Sequence, residues 1–265
     1  MKPSVPLPRV LCVDVGNSSA HLACLEGTAP VEQAELPTHE VAAHLAAVAV
    51  RWGVTGVAWC SVVPAVSEAL RRALEGLSVP VLELDHRCCP GLPVTYPDPA
   101  EIGPDRLANA IGAQVVGRLP ALVIDLGTAT TVSVVRRTEG YVGGMIGPGL
   151  RLMTDYLHEK TARLPRLQAS DVVAFCPTPG EPGRSTEAAM LLGCQHGYRG
   201  LVTALLREAA TMVPVEEGTP AVIVTGGAVA ILRVLPEAEA WHFHPRLTFI
   251  GLATAWQRAF GLPIM

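Results

Sequence analysis

A short pattern that occurs twice constrains the fold of this chain more than any other feature. Residues 10–18 and residues 121–129 each contain an apolar run, then Asp-x-Gly, then a small polar turn, and a second apolar run follows each of them. Asp14 aligns with Asp125, and Gly16 aligns with Gly127. Each copy predicts a β-hairpin with an acid and a glycine at its bend, so the chain is expected to consist of two similar halves.

Helices and strands are predicted to alternate after each hairpin, which indicates an α/β fold. A proline at the first position and a glycine beyond the end mark the clearest helices. The helices are predicted over 40–52, 64–74, 104–116, 150–164, 185–210 and 252–260, and the further strands over 56–63, 79–84, 222–225 and 247–250. We therefore expect an N-terminal domain over about 9–117 and a C-terminal domain over about 118–265.

Composition excludes several classes of protein. Hydrophobic residues make up 49% of the 265 residues and charged residues 17%, which argues against intrinsic disorder. The net charge of −4 argues against a nucleic-acid partner. No run approaches the roughly 20 apolar residues of a membrane span, and prolines interrupt the N-terminus where a signal peptide would be apolar.

The seven cysteines include no C-x-x-C, which favours a cytoplasmic location. No further ligands stand at metal spacing around Cys88 and Cys89.

The first bend, Asp14 to Ser19, has the residue types of a phosphate-binding loop. A glycine-rich bend can present backbone N–H groups to a phosphate, and an acid such as Asp14 can hold a metal. Glycine, asparagine and serine equally favour an ordinary turn. The second bend at Asp125 supports the binding interpretation, because two such hairpins facing each other across a cleft could grip a polyphosphate. Gly226 and Gly227 follow an apolar strand and would permit close approach of a flat ligand such as adenine.

The first bend, the second bend and the Gly226-Gly227 pair, in this order, resemble the motifs of the acetate kinase, sugar kinase, Hsp70 and actin superfamily. Its members have two duplicated RNase H-like domains with nucleotide between them. Further segments are similar to type III pantothenate kinases, and the resemblance runs from about residue 10 to about residue 255. These segments are Tyr96 with Gly103-Pro104-Asp105-Arg106, residues 107–113, the Asp-x-Gly-Thr-Ala-Thr-Thr run at Asp125, residues 143–149, residues 161–165, residues 185–189 and Thr225-Gly226-Gly227.

The resemblance implies a reaction and a set of site residues. The reaction is ATP-dependent phosphorylation of pantothenate to 4′-phosphopantothenate, the first step towards coenzyme A. Asp105 matches the proton acceptor, and Asp125 matches the ligand of a monovalent cation, K⁺ or NH₄⁺; Mg²⁺ is also implied. The segment that binds the ATP phosphates matches Asp14, Val15, Gly16, Asn17, Ser18, Ser19, Ala20 and His21, with Thr128 as a further ATP contact. The pantothenate-binding positions match Tyr96, Gly103, Pro104, Asp105, Arg106 and Thr186.

Two departures from the family pattern leave alternatives open. Ser133 and Ala228 stand where the family commonly has aspartate. Their presence keeps open a catalytically weak homologue that acts as a regulatory partner. A small-molecule kinase of the same superfamily with another substrate is a further alternative, against which the segment from Tyr96 to Arg106 argues.

Local chemistry adds expectations for two helices, one beginning at Pro104 and the other predicted over 185–210. Asp105 would lie in the first helical turn, where the helix dipole should hold it ionised and make it a weaker base. Without any catalytic role, the same aspartate would simply stabilise the helix. Arg106 could bind a carboxylate in bidentate fashion, or it could be a solvated surface arginine.

Glycines 193, 197 and 200 share one helix face, which indicates close packing against this chain or a second copy, and the family resemblance favours a homodimer.

Overall fold

The computed structural model describes residues 7–261. Residues 1–6, part of the signal-peptide argument, and residues 262–265, the end of the predicted second domain, lie outside the described residues. Contacts divide the chain into two compact units. The first runs to Gly117 and also takes in Glu139–Tyr141 and the chain from Arg246, and the second comprises Arg118–Thr138 and Val142–Pro245. The expected domain bounds stay a prediction; in this division by contacts, residues 246–261 lie with the first unit.

The first unit is built on a five-stranded sheet in the order β3-β2-β1-β4-β5. The strands β1, β2 and β3 are antiparallel neighbours, and β4 and β5 continue the sheet in parallel with β1. Helices α1 and α2 bury one face of this sheet over the side chains of Leu11, Val13 and Trp59. Helices α3 and α7 pack on each other and contact β4. The bounds are β1 (Arg9–Val15), β2 (Ser19–Glu26), β3 (Ala29–Pro37), α1 (Val41–Arg51), β4 (Gly56–Ser61), α2 (Pro64–Leu74), β5 (Val81–Glu83), α3 (Pro104–Val115) and α7 (Leu247–Phe260).

The second unit repeats this plan with a five-stranded sheet in the order β10-β9-β6-β7-β8. β6 pairs antiparallel with β7 and parallel with β9, as β1 does with β2 and β4. Helices α4, α5 and α6 cover the face formed by Leu122, Ile124 and Val132. The bounds are β6 (Ala121–Leu126), β7 (Ala129–Arg136), β8 (Gly140–Pro148), α4 (Leu150–Glu159), α5 (Ala169–Ala174), α6 (Thr186–Thr211), β9 (Ala221–Thr225) and β10 (His242–Phe243).

The matching strand orders confirm the expected duplicated α/β fold, and both hairpins form as predicted. One element was predicted wrongly: residues 247–250 are not a strand but the first turn of α7, a single helix over Leu247–Phe260. Eight of its residues are buried, so its sequence lacks the one-sided apolar spacing of an amphipathic helix. Helix α4 ends at Glu159 and not at residue 164. Within residues 7–261, no helix combines the length and the apolar character needed to cross a bilayer.

Candidate active site

The first bend places Asp14 at the carboxyl end of β1. Asp14 lies opposite His21 on β2 and Cys60 on β4 in the strand ladders. The bend is closed by the Gly16 N–H, which donates to the Ser19 carbonyl at 3.0 Å. The carboxyl ends of parallel strands are the usual edge for ligand binding in α/β sheets, so Asp14 occupies a position suited to a ligand.

Residues of the predicted phosphate-binding segment differ in which groups they can present to a ligand. Asn17, Ser18 and His21 are exposed, so their polar groups are accessible. The side chains of Val15 and Ala20 are fully buried in the core. Those two residues can therefore contribute to binding only through their backbone.

Cys60 lies near two acids, on the face of the sheet opposite α1 and α2. Its Sγ donates to the Asp14 Oδ1 at 3.4 Å. Burial raises the pKa of this thiol well above its usual range, and the neighbouring charges of Asp14 and Asp105 raise it further. Cys60 therefore remains a neutral hydrogen-bond donor to Asp14, while the same influence shows that Asp105 lies near this pair.

Asp105 lies at the second position of α3, as predicted from Pro104. Its Oδ1 accepts a hydrogen bond from the Arg106 N–H at 2.9 Å. A Cβ at Gly103 would lie 2.5 Å from the same oxygen, so a residue without a side chain precedes the helix. The expectation that the helix dipole dominates is wrong: removal from water raises the pKa of Asp105, and the hydrogen bond and the Arg106 charge offset this only in part. Asp105 is consequently a stronger base than an exposed aspartate.

Arg106 is a buried arginine rather than a surface one. Only 8% of the residue is exposed, and its guanidinium stands 5.4 Å from the centre of the Tyr141 ring. Among the described residues its Nε has no hydrogen-bond partner, although it is buried. A buried guanidinium N–H without an acceptor is costly, so the site suits an anionic ligand group that a guanidinium can bind.

Two tyrosine rings complete this part of the first unit. Tyr96 and Tyr141 lie with ring centres 6.1 Å apart. The Tyr141 N–H donates to the Pro93 carbonyl, and the Tyr141 carbonyl accepts from the Thr95 N–H, so Tyr141 is bonded to the segment just before Tyr96. Tyr141 was not predicted from the sequence, because it is the second residue of the glycine-rich strand β8 and comes near Tyr96 only when the chain folds.

A cavity of about 390 Å³ borders the same segment within the first unit. Gly103 and Pro104 form part of its wall, so it adjoins the start of α3. An ion pair of Arg71 with Glu83, with a 2.7 Å contact, lines it from α2 and β5. The cavity is thus a polar space beside the predicted substrate segment.

The second bend repeats the first in the second unit. Asp125 lies at the end of β6, opposite Thr131 on β7 and Thr225 on β9. Gly226 has a positive φ of 98°, and a Cβ there would lie 2.7 Å from the Asp125 Oδ1 and 2.4 Å from the Leu126 nitrogen. Only glycine fits this position beside the carboxylate. Thr128, the predicted ATP contact, is exposed at the tip of the bend.

The carboxylates of Asp14 and Asp125 are hard oxygen ligands of the kind that Mg²⁺ and K⁺ prefer. In the described part of the chain, no group of three or more His, Cys, Asp or Glu side chains could hold a metal ion. Asp14 and Asp125 could each supply a cation with carboxylate oxygen, alongside oxygens from other groups. Among residues 7–261, Cys88 and Cys89 belong to no such group either.

The two residues that depart from the family pattern lie inside the second unit. Ser133 is buried on β7, opposite Val123 of β6. The Ala228 N–H donates to the Leu126 carbonyl at 3.3 Å, and its side chain packs against the core. Neither residue supplies a carboxylate, and the side chains of both pack within the second unit.

Thr186 is the first residue of α6, and Ser185 caps the helix by accepting from the Ala188 N–H at 3.0 Å. Thr186 and Gly193 line an apolar cavity of about 490 Å³ in the second unit. The other predicted pantothenate positions, Tyr96 and 103–106, belong to the first unit. The predicted substrate residues are thus divided between the two units.

Comparison with known proteins gives a consistent result. A model of the family described as type III pantothenate kinase matches residues 10–208. The type III pantothenate kinase of Methylacidiphilum infernorum (isolate V4) is 35% identical over 204 residues, which are 75% of this chain and 70% of the relative. The type III pantothenate kinase of Frankia casuarinae is 31% identical, over 94% of this chain and 99% of the relative.

Solved structures agree on the fold. A ROK family glucokinase from Streptomyces griseus, in complex with glucose and AMPPNP, aligns over 93% of this chain and 98% of its own, with a TM-score of 0.59 and 10% identity. A Campylobacter jejuni protein, provisionally described as a Baf family transcriptional activator, aligns over 95% and 100%, with a TM-score of 0.61 and 17% identity. At these identities the similarity shows the fold alone.

Proposed function

The chain belongs to the type III pantothenate kinase family, and from this premise we propose how its residues perform the reaction of that family. The reaction transfers the γ-phosphoryl group of ATP to pantothenate, in the first step of coenzyme A biosynthesis. The observation that best supports this function is the pairing of a buried, base-strengthened Asp105 with a buried Arg106 whose Nε lacks a partner among the described residues.

Asp105 is proposed as the proton acceptor. The primary hydroxyl oxygen of pantothenate attacks the γ-phosphorus in line, the bond from that phosphorus to the β–γ bridging oxygen breaks, and ADP leaves. The hydroxyl proton passes to the Asp105 carboxylate. The raised pKa of Asp105 strengthens it for this role.

Arg106 and Tyr96 are proposed to orient pantothenate. Pantothenate carries one carboxylate, and a guanidinium binds a carboxylate with two parallel hydrogen bonds. The Tyr141 ring under Arg106 limits the directions in which the guanidinium can point. Gly103 and Pro104 set the start of α3 and so the position of Asp105, while Thr186 contributes from α6.

The two bends are proposed to bind the ATP phosphates. Asn17 and Ser18 would donate from the first bend and Thr128 from the second. Asp14 would hold Mg²⁺, and Asp125 a K⁺ or NH₄⁺ ion. Bound cations supply neutralisation of the phosphate charge, which phosphoryl transfer requires more than covalent chemistry.

A homodimer and a cytoplasmic location complete the proposal. Gly193 and Gly200 are exposed on α6, and a Cβ at either would have no described atom within 4 Å. No segment described in this chain therefore explains these glycines, which supports a second copy as their partner. The location rests on the cysteine usage and on the family.

An assay of ADP release tests the function. Purified protein is expected to release ADP with ATP and pantothenate, and to respond to K⁺ or NH₄⁺ but not to Na⁺ alone at equal ionic strength. Equal rates in the three salts would contradict the cation role of Asp125. Turnover with sugars or small acids but not pantothenate would indicate another kinase, and nucleotide binding without any turnover would indicate a regulatory homologue.

A further inference from the structure

A threonine outside the predicted site holds the first phosphate bend. The Thr38 hydroxyl donates to the Gly16 carbonyl at 2.8 Å, across 22 positions of sequence. Thr38 directly follows β3, whose last residue, Pro37, lies opposite Ser19 on β2. Only 8% of Thr38 is exposed, so water competes little for this bond.

This bond fixes the direction of the next N–H group. A trans peptide group is planar, and its C=O and N–H point in opposite directions. Anchoring the Gly16 carbonyl therefore turns the Asn17 N–H away from Thr38. The Gly16 N–H is already used by Ser19. Within residues 7–261 the N–H groups of Asn17 and Ser18 have no acceptor, which leaves them available to an anion.

The second unit contains a related contact, made at the carbonyl one position further along its bend. Gly149 directly follows β8, the counterpart of β3, and its N–H donates to the Thr128 carbonyl at 3.2 Å. A Cβ on Gly149 would lie 2.2 Å from that oxygen, so the contact requires glycine. A hydroxyl in one unit and a backbone N–H in the other thus hold a carbonyl of the adjacent bend.

We propose that the residue after the third strand of each sheet, Thr38 in the first unit and Gly149 in the second, is a positioning residue for ATP. Each holds a bend carbonyl so that the bend N–H groups are oriented for phosphate before the nucleotide binds. This inference rests on the proposed function of the bends as phosphate sites. Preorganised donors bind an anion without the cost of ordering the loop.

Substitution of Thr38 tests the proposal. Thr38→Val removes the hydroxyl at nearly constant shape, and Thr38→Ser retains it. Thr55→Val is the matched control, because the Thr55 hydroxyl also bonds to backbone, accepting from the Arg9 N–H at 2.9 Å at the opposite end of β1. Thr38→Val should raise the KM for ATP about three- to tenfold, the range of one hydrogen bond, and leave the KM for pantothenate within twofold. Thr38→Ser should restore the wild-type value.

Calorimetric binding separates this inference from the proposed reaction, because it requires no turnover. Thr38→Val should weaken ATP binding by a similar factor and leave adenosine binding unchanged. A variant that is folded by melting temperature but binds ATP like Thr55→Val would overturn the inference. Equal weakening of ATP and adenosine would do so too, since it would show a general structural role. Absence of pantothenate phosphorylation by the wild-type protein would refute only the proposed reaction.

Discussion

At the scale of single residues, burial changes the chemistry of the acids and thiols near the first bend. Asp105 lies at a helix N-terminus that favours the charged form, yet desolvation has the larger effect and raises its pKa. Cys60 is held neutral by burial and by two nearby carboxylates. Position along a helix therefore predicts where Asp105 lies, and its surroundings determine how strong a base it is.

Replacing Asp105 with asparagine should nearly abolish turnover. The Asn side chain keeps an oxygen that can accept from the Arg106 N–H, but it cannot take the proton of the substrate. General-base assistance is typically worth about 10²–10⁴-fold in rate. In the wild-type enzyme, kcat should fall with decreasing pH in a range above the usual aspartate pKa of about 3.9. A loss of less than about threefold with normal pantothenate binding would show that Asp105 is not the base.

The same substitution should stabilise the fold at neutral pH. Because the pKa of Asp105 is raised in the folded state, that state binds the proton more tightly than the unfolded chain does. Ionisation of Asp105 therefore costs stability as pH rises through the raised pKa. Asp105→Asn should melt above the wild type at pH 7 to 8, and the difference should shrink towards about pH 4. A lower melting temperature at pH 7 would instead indicate that the carboxylate supports the helix.

The cysteines should differ strongly in reactivity. Cys176 is exposed, whereas burial raises the pKa of both Cys12 and Cys60 well above the usual thiol range. Since the thiolate is the nucleophile, a thiol reagent should modify Cys176 first in the native protein. Cys176→Ser should remove the fast phase, and all the thiols should react after denaturation. A fast phase that persists in the variant would contradict this prediction.

At the scale of elements, the crossing of α3 and α7 holds the first unit together and supports the helix that presents Asp105. A Cβ on Gly251 would lie 1.8 Å from the Ala108 carbonyl oxygen, and one on Gly112 would lie 2.6 Å from the Leu247 carbonyl oxygen. The two helices therefore touch backbone to backbone. A glycine inside α7 weakens the helix locally, and the close crossing offsets that cost.

Gly251→Ala should destabilise the protein. The atoms that the new methyl group would meet are backbone atoms of α3 and cannot rotate away, and overpacking of this kind typically costs about 1–3 kcal/mol. Gly76→Ala is the control, because a Cβ there meets nothing within 4 Å. Chemical denaturation should show a lower midpoint for Gly251→Ala and little change for Gly76→Ala. Equal stabilities of the two variants would mean that the crossing can widen freely.

At the scale of the whole molecule, the duplicated plan is not divided in chain order. In each unit the central strand, β1 or β6, pairs antiparallel with one neighbour and parallel with the other. The last helix belongs to the first unit, where it packs on β1 and α3. The first unit is consequently assembled from residues near both ends of the described chain, and its packing includes α7, the last described helix.

A homodimer that uses α6 should be sensitive to its exposed glycines. Wild-type protein should sediment near twice the chain mass of 27.9 kDa. Substituting Gly193 and Gly200 together by alanine should weaken the dimer if a second copy packs on this face. In a monomer the same change should raise stability by up to about 1 kcal/mol per site, because alanine favours helix. A stable 27.9 kDa wild-type species at micromolar concentration would contradict the dimer.

The sequence by itself determined the features that depend on near neighbours in the chain. The two Asp-x-Gly hairpins and the helices beginning at Pro64 and Pro104 could be predicted because turn chemistry and apolar spacing are local. Strands β3 and β8 were missed. The residues of β3 are largely exposed and include two prolines, and those of β8 include four glycines; strand interiors usually lack both residue types.

Only the tertiary structure decided the properties that depend on residues far apart in sequence. It brought Tyr141 beside Tyr96 and Arg106, set Cys60 against Asp14, and anchored Gly16 to Thr38. It also placed the helix from Leu247 on α3, where Gly251 permits a contact that no local pattern encodes. Burial, and with it the pKa of Asp105, is a property of the packed surroundings rather than of the residue, so the strength of this base could not be predicted from its position in a helix.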